Sequence, residues 1–160
     1  MRKVKSPYTL LVIDLQYEFR AARKKQVLHA ARHVIAEALR DRAHVVLVEF
    51  SGCGRTSPML TKVLDNPWCM VPWHVLKKYD QDGSDEVVAY LRGLKLPRKK
   101  IRVVGVNTDQ CVLSTVVGLS EKLPQSSIEV VSRACNSDSR KGHHSGLEQM
   151  AKLRNVQVVA

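Results

Sequence analysis

The sequence predicts an α/β fold: a three-layer sandwich whose mostly parallel, Rossmann-like sheet of about six strands is flanked by helices. Three observations predict it. Short, almost wholly apolar runs recur along the chain, as expected of strands buried on both faces. Segments with helical spacing of apolar residues separate them. The chain of 160 residues, 44% hydrophobic and 26% charged, has the length and composition of one globular domain, 1–160.

Taken in order, Thr9 to Ile13 (TLLVI) reads as the first strand. Gln26 to Arg40 follows as a helix, with Val27, Ala30, Ala31, Val34, Ile35, Ala38 and Leu39 on its apolar side. His44 to Phe50 is the second strand. Ser51 to Trp73 reads as a long loop with a helical turn, and Val75 and Leu76 as a short third strand. Ser84 is the expected N-cap of a helix reaching Arg92, with Asp85 and Glu86 at its positive end. Ile101 to Val106 is the fourth strand, Cys111 to Leu123 a helix and Ile128 to Val131 the fifth strand. A helix from Lys141 to Arg154 and a strand from Val156 to Val159 close the chain. No repeat, low-complexity tract or linker interrupts this alternation.

Composition narrows the function. The formal net charge is +11, from 26 Lys and Arg against 15 Asp and Glu. The basic residues are scattered through loops and helix ends, so a solvated surface is the favoured reading. Nucleic acid is a less favoured partner, and an anionic small substrate would also suit the field. No run approaches the roughly 18 apolar residues of a membrane span, and no secretory leader is expected after the basic start. The four cysteines, Cys53, Cys69, Cys111 and Cys135, form no C-x-x-C pair. Reduced thiols in a cytoplasmic protein are the expectation.

In an open α/β sheet, ligands bind beyond the carboxyl ends of the strands. Asp14 ends the first strand, Lys77 and Lys78 end the third, and Gly105 to Cys111 (GVNTDQC) leads from the fourth into a helix. A carboxylate, an amine and a thiol thus fall at one end of the sheet. Near a helix start and a lysine, the Cys111 thiol is expected to lose its proton more easily than a free cysteine.

Two segments carry a resemblance. Leu11 to Phe19 (LVIDLQYEF) and Gly105 to Val112 (GVNTDQCV) resemble the D-x-Q-x-x-F opening and the G-V-x-T-D-x-C-V segment of the isochorismatase-like cysteine hydrolases. His144 to Val159 is similar to that family's last helix and strand, so the likeness covers nearly the whole chain. The resemblance implies a triad: Asp14 as general base, Cys111 as nucleophile, and a lysine that keeps Asp14 ionised. Lys77 and Lys78 both qualify; Lys78 is favoured because an aromatic residue, Tyr79, follows it. It also implies a cis peptide between Val106 and Asn107, and an oxyanion hole formed by the Asn107 and Cys111 N–H groups, with Thr108 and Asp109 hydrogen-bonding the turn. Gln16, Phe19 and Tyr79 would shape the substrate pocket, with Trp68 and Trp73 as further candidate walls; Phe19 reads equally well as core.

The chain departs from the family at two places. Nicotinamidases of this superfamily place an acidic residue and histidines after the second strand to bind a metal. Here Glu49 is followed by Phe50, Ser51 and Gly52, and His74 is isolated, so no metal and no cofactor are expected. The family often has an Asp after the fifth strand, a stretch occupied here by Ser132, Arg133 and Ala134. The retained thiol favours attack on a carbonyl over vinyl-ether cleavage, which does not need it. The expected enzyme is therefore a metal-independent cysteine hydrolase of a small amide or related C–N bond, and a homo-oligomer. The alternative is a non-catalytic protein on the same fold that binds a polyanion. A cysteine phosphatase is disfavoured because no Arg follows Cys111 closely, and a dinucleotide-binding domain because no G-x-G-x-x-G follows the first strand.

Overall fold

The computed structural model describes residues 7–66 and 72–160; the expected wall Trp68 and the thiol Cys69 lie outside them. Six strands, β1 (Thr9–Ile13), β2 (His44–Phe50), β3 (Trp73–Lys78), β4 (Lys100–Val106), β5 (Ser127–Asn136) and β6 (Val156–Val159), form one sheet. Every pairing is parallel, in the order β3-β2-β1-β4-β5-β6. Parallel neighbours need crossovers, and five helices supply them: α1 (Lys25–Arg40), α2 (Pro58–Leu64), α3 (Ser84–Gly93), α4 (Leu113–Lys122) and α5 (Arg140–Ala151). None of the helices among the described residues is long and apolar enough to cross a membrane.

The strands are apolar on both faces because both faces are covered. Leu10, Val12, Val45 and Leu47 pack against α1 and α2 on one side. Leu11, Ile13, Val46, Val48, Ile101 and Val103 pack against α3, α4 and α5 on the other. In α1 the buried residues Val27, Leu28, Ala31, Val34, Ile35 and Ala38 repeat at three- and four-residue steps, one stripe on the sheet.

The order of strands fixes where a site can form. From β1 the chain builds outward to β3, then returns to lay β4 on the other side of β1. The crossovers leaving β1 and β4 therefore diverge, and a crevice opens beyond their carboxyl ends. Asp14 immediately follows β1, and Asn107 immediately follows β4.

The elements differ from the sequence expectation in three informative ways. β3 is six residues long, because Trp73 and His74 pair with Val45 and Val46 despite their polar and aromatic character. β5 runs on to Asn136: Val103 pairs with Val130 but Gly105 pairs with Cys135, so a bulge takes up the intervening β5 residues. Ser132, Arg133 and Ala134 thus lie within the strand, and the segment that follows it begins Ser137-Asp138. The cap of α3 is also displaced. Ser84 is its first residue and is fully buried, and the Asp82 carboxylate accepts the Ser84 N–H at 2.8 Å.

Gly105 has a positive φ of 147° opposite Ile13 in the register. A Cβ at this position would lie 2.1 Å from the Ile13 carbonyl oxygen, so only glycine allows β4 to sit this close to β1. Gly105→Ala is therefore expected to lower the unfolding free energy by about 3 kcal/mol or more. Gly93→Ala, where the added methyl meets nothing within 4 Å, is expected to shift it by less than about 1 kcal/mol. Urea denaturation of both variants checks the pair.

Candidate active site

Three side chains converge beyond β1, β3 and β4. Asp14 follows β1 with φ of 51°, a left-handed conformation that aspartate tolerates better than most residues. Its N–H continues the sheet by bonding the Val48 carbonyl at 2.9 Å, while its side chain is 1% exposed. Lys78 ends β3 and is fully buried, with its Nζ 3.0 Å from Asp14 Oδ2. Among the described residues neither Asp14 oxygen has a hydrogen bond of regular geometry; charge attraction to Lys78 is the largest of the influences that favour the carboxylate, with the Cys111 thiol and the Phe50 backbone adding to it.

The rest of the Lys78 environment is built to receive a cation. The ammonium donates to the Asp80 carbonyl at 2.8 Å and to the Gln81 carbonyl at 3.4 Å, and lies 4.2 Å from the centre of the Phe50 ring. Thr115 of α4 clasps the loop that supplies those carbonyls: its hydroxyl accepts the Gly83 N–H and donates to Gln81 O. A Cβ on Gly83 would come within 2.7 Å of Lys78 Cδ, so this glycine makes room for the lysine stem. The other candidate, Lys77, turns away, since successive strand residues point to opposite faces. Its ammonium pairs with Glu49, whose other carboxylate oxygen accepts the Thr56 N–H at 2.8 Å and hydroxyl at 2.9 Å. Burial opposes ionisation of Glu49, but Lys77 and Thr56 more than offset it and hold its carboxyl below the usual range. Of the two lysines, the structure brings Lys78 to Asp14.

Cys111 is 5% exposed and sits in a π-helical turn, Thr108–Val112, just ahead of α4. The Val112 N–H reaches back five residues to the Asn107 carbonyl at 3.1 Å. Such turns are rare and cluster at functional sites; here it lies between β4 and α4, over the end of β1. The peptide Val106–Asn107 is cis. Asn107 is 8% exposed, and its side-chain oxygen is buried without a partner among the described residues.

The electrostatics correct one expectation. The thiol proton is held more tightly than in a free cysteine: burial first, then the neighbouring Asp14 charge, push the Cys111 pKa up to about 12, and Lys78 offsets only part of this. Asp14 is also shifted upward, by burial, with Lys78 and the thiol pulling the other way. The resting pair is therefore a thiol beside a carboxylate that takes up a proton more readily than an ordinary one.

The remaining candidates fall into place around this centre. Gln16 is fully buried with its amide spent: Nε2 donates to the Phe50 and Gly54 carbonyls, and Oε1 accepts the Phe50 N–H at 2.7 Å. It fixes the loop after β2 rather than presenting a group to a ligand. Phe19 packs edge-on against Phe50, 6.4 Å between ring centres, in a line that continues to Lys78. Tyr79 is 73% exposed, and Trp73 lies at the start of β3, the end of the strand remote from Asp14. Thr108 and Asp109 bond outward, not within their turn. The Thr108 hydroxyl pairs with His143 Nδ1 at 2.8 Å, and Asp109 accepts from the Ser137 hydroxyl at 2.6 Å, so both tie the cysteine turn to α5 and the segment before it. Phe50, Thr115, Ser137 and His143 escaped the sequence reading because none lies in a motif; only the fold brings them here.

Among the described residues no three His, Cys, Asp or Glu side chains are grouped to hold an ion, and Glu49 is committed to Lys77 and Thr56.

The architecture gathers a carboxylate, an ammonium and a thiol at the switch point of a parallel α/β sheet. The Isochorismatase domain matches residues 8–160, and the chain belongs to that family of hydrolases. Solved structures agree in fold. The MAR1 ribonuclease of Caenorhabditis elegans superposes with a TM-score of 0.80 at 22% identity, covering 96% of this chain and 77% of that one. A nicotinamidase of Staphylococcus aureus gives 0.76 at 20%, covering 96% and 99%. The N-carbamoylsarcosine amidase of Thermoplasma acidophilum gives 0.73 at 18%, covering 96% and 95%. Among curated proteins none matches the chain significantly.

Lys78→Met strands a buried carboxylate and is expected to cost about 3–5 kcal/mol at pH 7, whereas Asp14→Asn combined with Lys78→Met recovers most of that loss. The penalty of the single variant also depends on pH. Asp14 titrates above its unfolded value of 3.8, so its protonation favours the folded state at low pH, and that contribution fades as pH rises through the folded value. Without Lys78 the folded value rises further. The cost of Lys78→Met is thus expected to be smaller at pH 5 than at pH 7, as read by denaturant titration at both.

Proposed function

We propose that the protein is a cysteine hydrolase of a small amide or related C–N bond, acting through an Asp14–Lys78–Cys111 triad without a metal. The observation that carries this reading is the fully buried Lys78–Asp14 ion pair, 3.0 Å across, held against the thiol of Cys111. Burying two charges costs several kcal/mol per ion, and a protein that merely bound a polyanion on this fold would have no use for the pair.

The chemistry follows from the resting protonation states. As Cys111 Sγ attacks the substrate carbonyl carbon, the thiol proton passes to Asp14. The carbonyl π electrons move onto oxygen, where the Asn107 and Cys111 N–H groups receive the developing charge. Asp14 returns the proton to the leaving nitrogen, the C–N bond breaks, and ammonia or an amine departs from a thioester. Asp14 then takes a proton from water as the water oxygen attacks the thioester. The second intermediate collapses as the C–S bond breaks, Asp14 returns the proton to Cys111 Sγ, and a carboxylic acid, or a carbamic acid for a carbamoyl substrate, leaves the regenerated thiol and an ionised Asp14. Lys78 keeps Asp14 ionised between the two halves. The unpartnered side-chain oxygen of Asn107 is free to accept an N–H of the substrate. Phe19 and Phe50 form an aromatic side to the site. The nicotinamidase and carbamoylsarcosine amidase neighbours support an amide-type substrate. A phosphodiester suits the centre less well: the ammonium of Lys78 is spent on Asp14 and two carbonyls.

A panel of primary amides and carbamoyl compounds, scored for ammonia release, tests this reading. Cys111→Ala and Asp14→Asn are each expected to lower kcat/KM on the best substrate about a hundredfold or more. Because Asp14 must be ionised to accept the proton, wild-type kcat/KM should fall as pH drops through its raised pKa. Full turnover by Cys111→Ala would defeat the proposal and point to chemistry that needs no thiol.

A further inference from the structure

The sheet has a second feature at its other end. The connections entering β4 and β5, residues 94–99 and 123–126, border a cleft of about 930 Å³. Arg92, Lys95, Arg98 and Lys99 line it, and all four are exposed. Among the described residues no carboxylate lies within ion-pair distance of any of them. That sets them apart from their neighbours. Lys122, on the same cleft, is paired with Asp82 and Asp85. Lys100 and Arg102, next along β4, are paired with Glu129 and Glu37. The adjoining cavity around Tyr8 balances Arg40, Lys100 and Arg102 against Glu37, Asp41 and Glu129. Positive charge is thus neutralised on either side of the cleft, whereas among the described residues Arg92, Lys95, Arg98 and Lys99 have no carboxylate partner.

The backbone that carries Arg98 and Lys99 is fixed. The Pro97 carbonyl accepts from the Thr9 hydroxyl at 2.7 Å, the Arg98 carbonyl from the Ser126 hydroxyl at 2.6 Å, and the Lys99 carbonyl from the Ser127 N–H at 2.8 Å. Leu96 and Leu123 are buried beneath. Four like charges thus line one cleft, two of them on a firm floor, an arrangement that gains when an anion with several charges neutralises them. None of the four is buried, so nothing encloses a single phosphate. Among the described residues no aromatic side chain lines the cleft to offer a platform for stacking bases. What fits is a run of successive phosphates.

We propose that this cleft, remote from Cys111, docks the sugar–phosphate backbone of a nucleic acid without regard to base sequence. Contacts to phosphate alone fix position and carry no sequence information. The site is independent of the hydrolase reading, and its test measures binding only.

The test is fluorescence anisotropy with a labelled 20-base-pair RNA duplex of two unrelated sequences, titrated between 50 and 200 mM salt. The two duplexes are expected to bind alike, with log K falling against log salt at a slope of about −3 to −4, as four cations would give. Arg92→Gln/Lys95→Gln/Arg98→Gln/Lys99→Gln should weaken binding at least tenfold at 100 mM salt and flatten the slope. The paired variant Lys95→Gln/Lys99→Gln, a smaller perturbation, should fall between it and wild type. A control with the same charge loss on exposed residues elsewhere, Arg32→Gln/Lys62→Gln/Arg140→Gln/Lys141→Gln, should stay within about twofold of wild type. Equal losses in the cleft and control variants would overturn the proposal, since binding would then follow net charge alone. So would no binding of RNA at 50 mM salt, or capture by phosphatidylserine vesicles with none by RNA.

Discussion

The ion pair between Lys78 and Asp14 is the constraint around which the active end of the molecule is arranged. A lysine and an aspartate with no access to water are tolerable only if each charge is answered. Lys78 is answered by Asp14, by two backbone carbonyls and by the Phe50 ring. Those partners must in turn be held. Thr115 holds the loop carrying the carbonyls, and Gln16 holds the backbone of Phe50. Asp14 has no comparable set of donors, and this asymmetry gives it chemical use. Burial outweighs the pull of Lys78, the Cys111 thiol and the Phe50 backbone, so this carboxylate binds a proton more readily than an ordinary one, and the Cys111 thiol beside it is a proton donor.

The same asymmetry explains why the cysteine is not ionised at rest. A helix start and a nearby lysine both favour a thiolate, and the sequence reading weighed these two. In the fold, burial first and then the negative charge of Asp14 oppose them, and these prevail. The proposed chemistry therefore transfers the thiol proton to Asp14 as attack proceeds.

Much of the architecture was legible in the sequence because parallel strands buried on both faces must be short and apolar, and TLLVI, HVVLVEF and IRVVGV are little else. The places that misled are those where tertiary pairing overrode composition. Trp73 and His74 join β3 because β2 offers them partners. Ser132 and Arg133 read as a strand end, but they fall in a bulge beyond which β5 resumes. Asp14, Lys78 and Cys111 could be named because each lies at a strand end or in a recognisable motif. The choice between Lys77 and Lys78 rested on a neighbouring tyrosine, whereas the structure separates them by strand alternation: one faces Glu49, the other Asp14. Phe50, Thr115 and His143 were invisible, since their roles arise from contacts across long stretches of chain.

The coupling of Cys111 to Asp14 is the central claim, and the rate of alkylation of Cys111 against pH tests it most directly, with the label located by mass spectrometry. The account predicts that wild-type Cys111 titrates far above the value of about 8.5 of a free cysteine. It predicts further that Asp14→Asn, by removing the adjacent negative charge, lowers that value and raises the alkylation rate near pH 8 even as it impairs turnover. A wild-type Cys111 that titrates near about 8.5 or below, with a profile unmoved by Asp14→Asn, would contradict it.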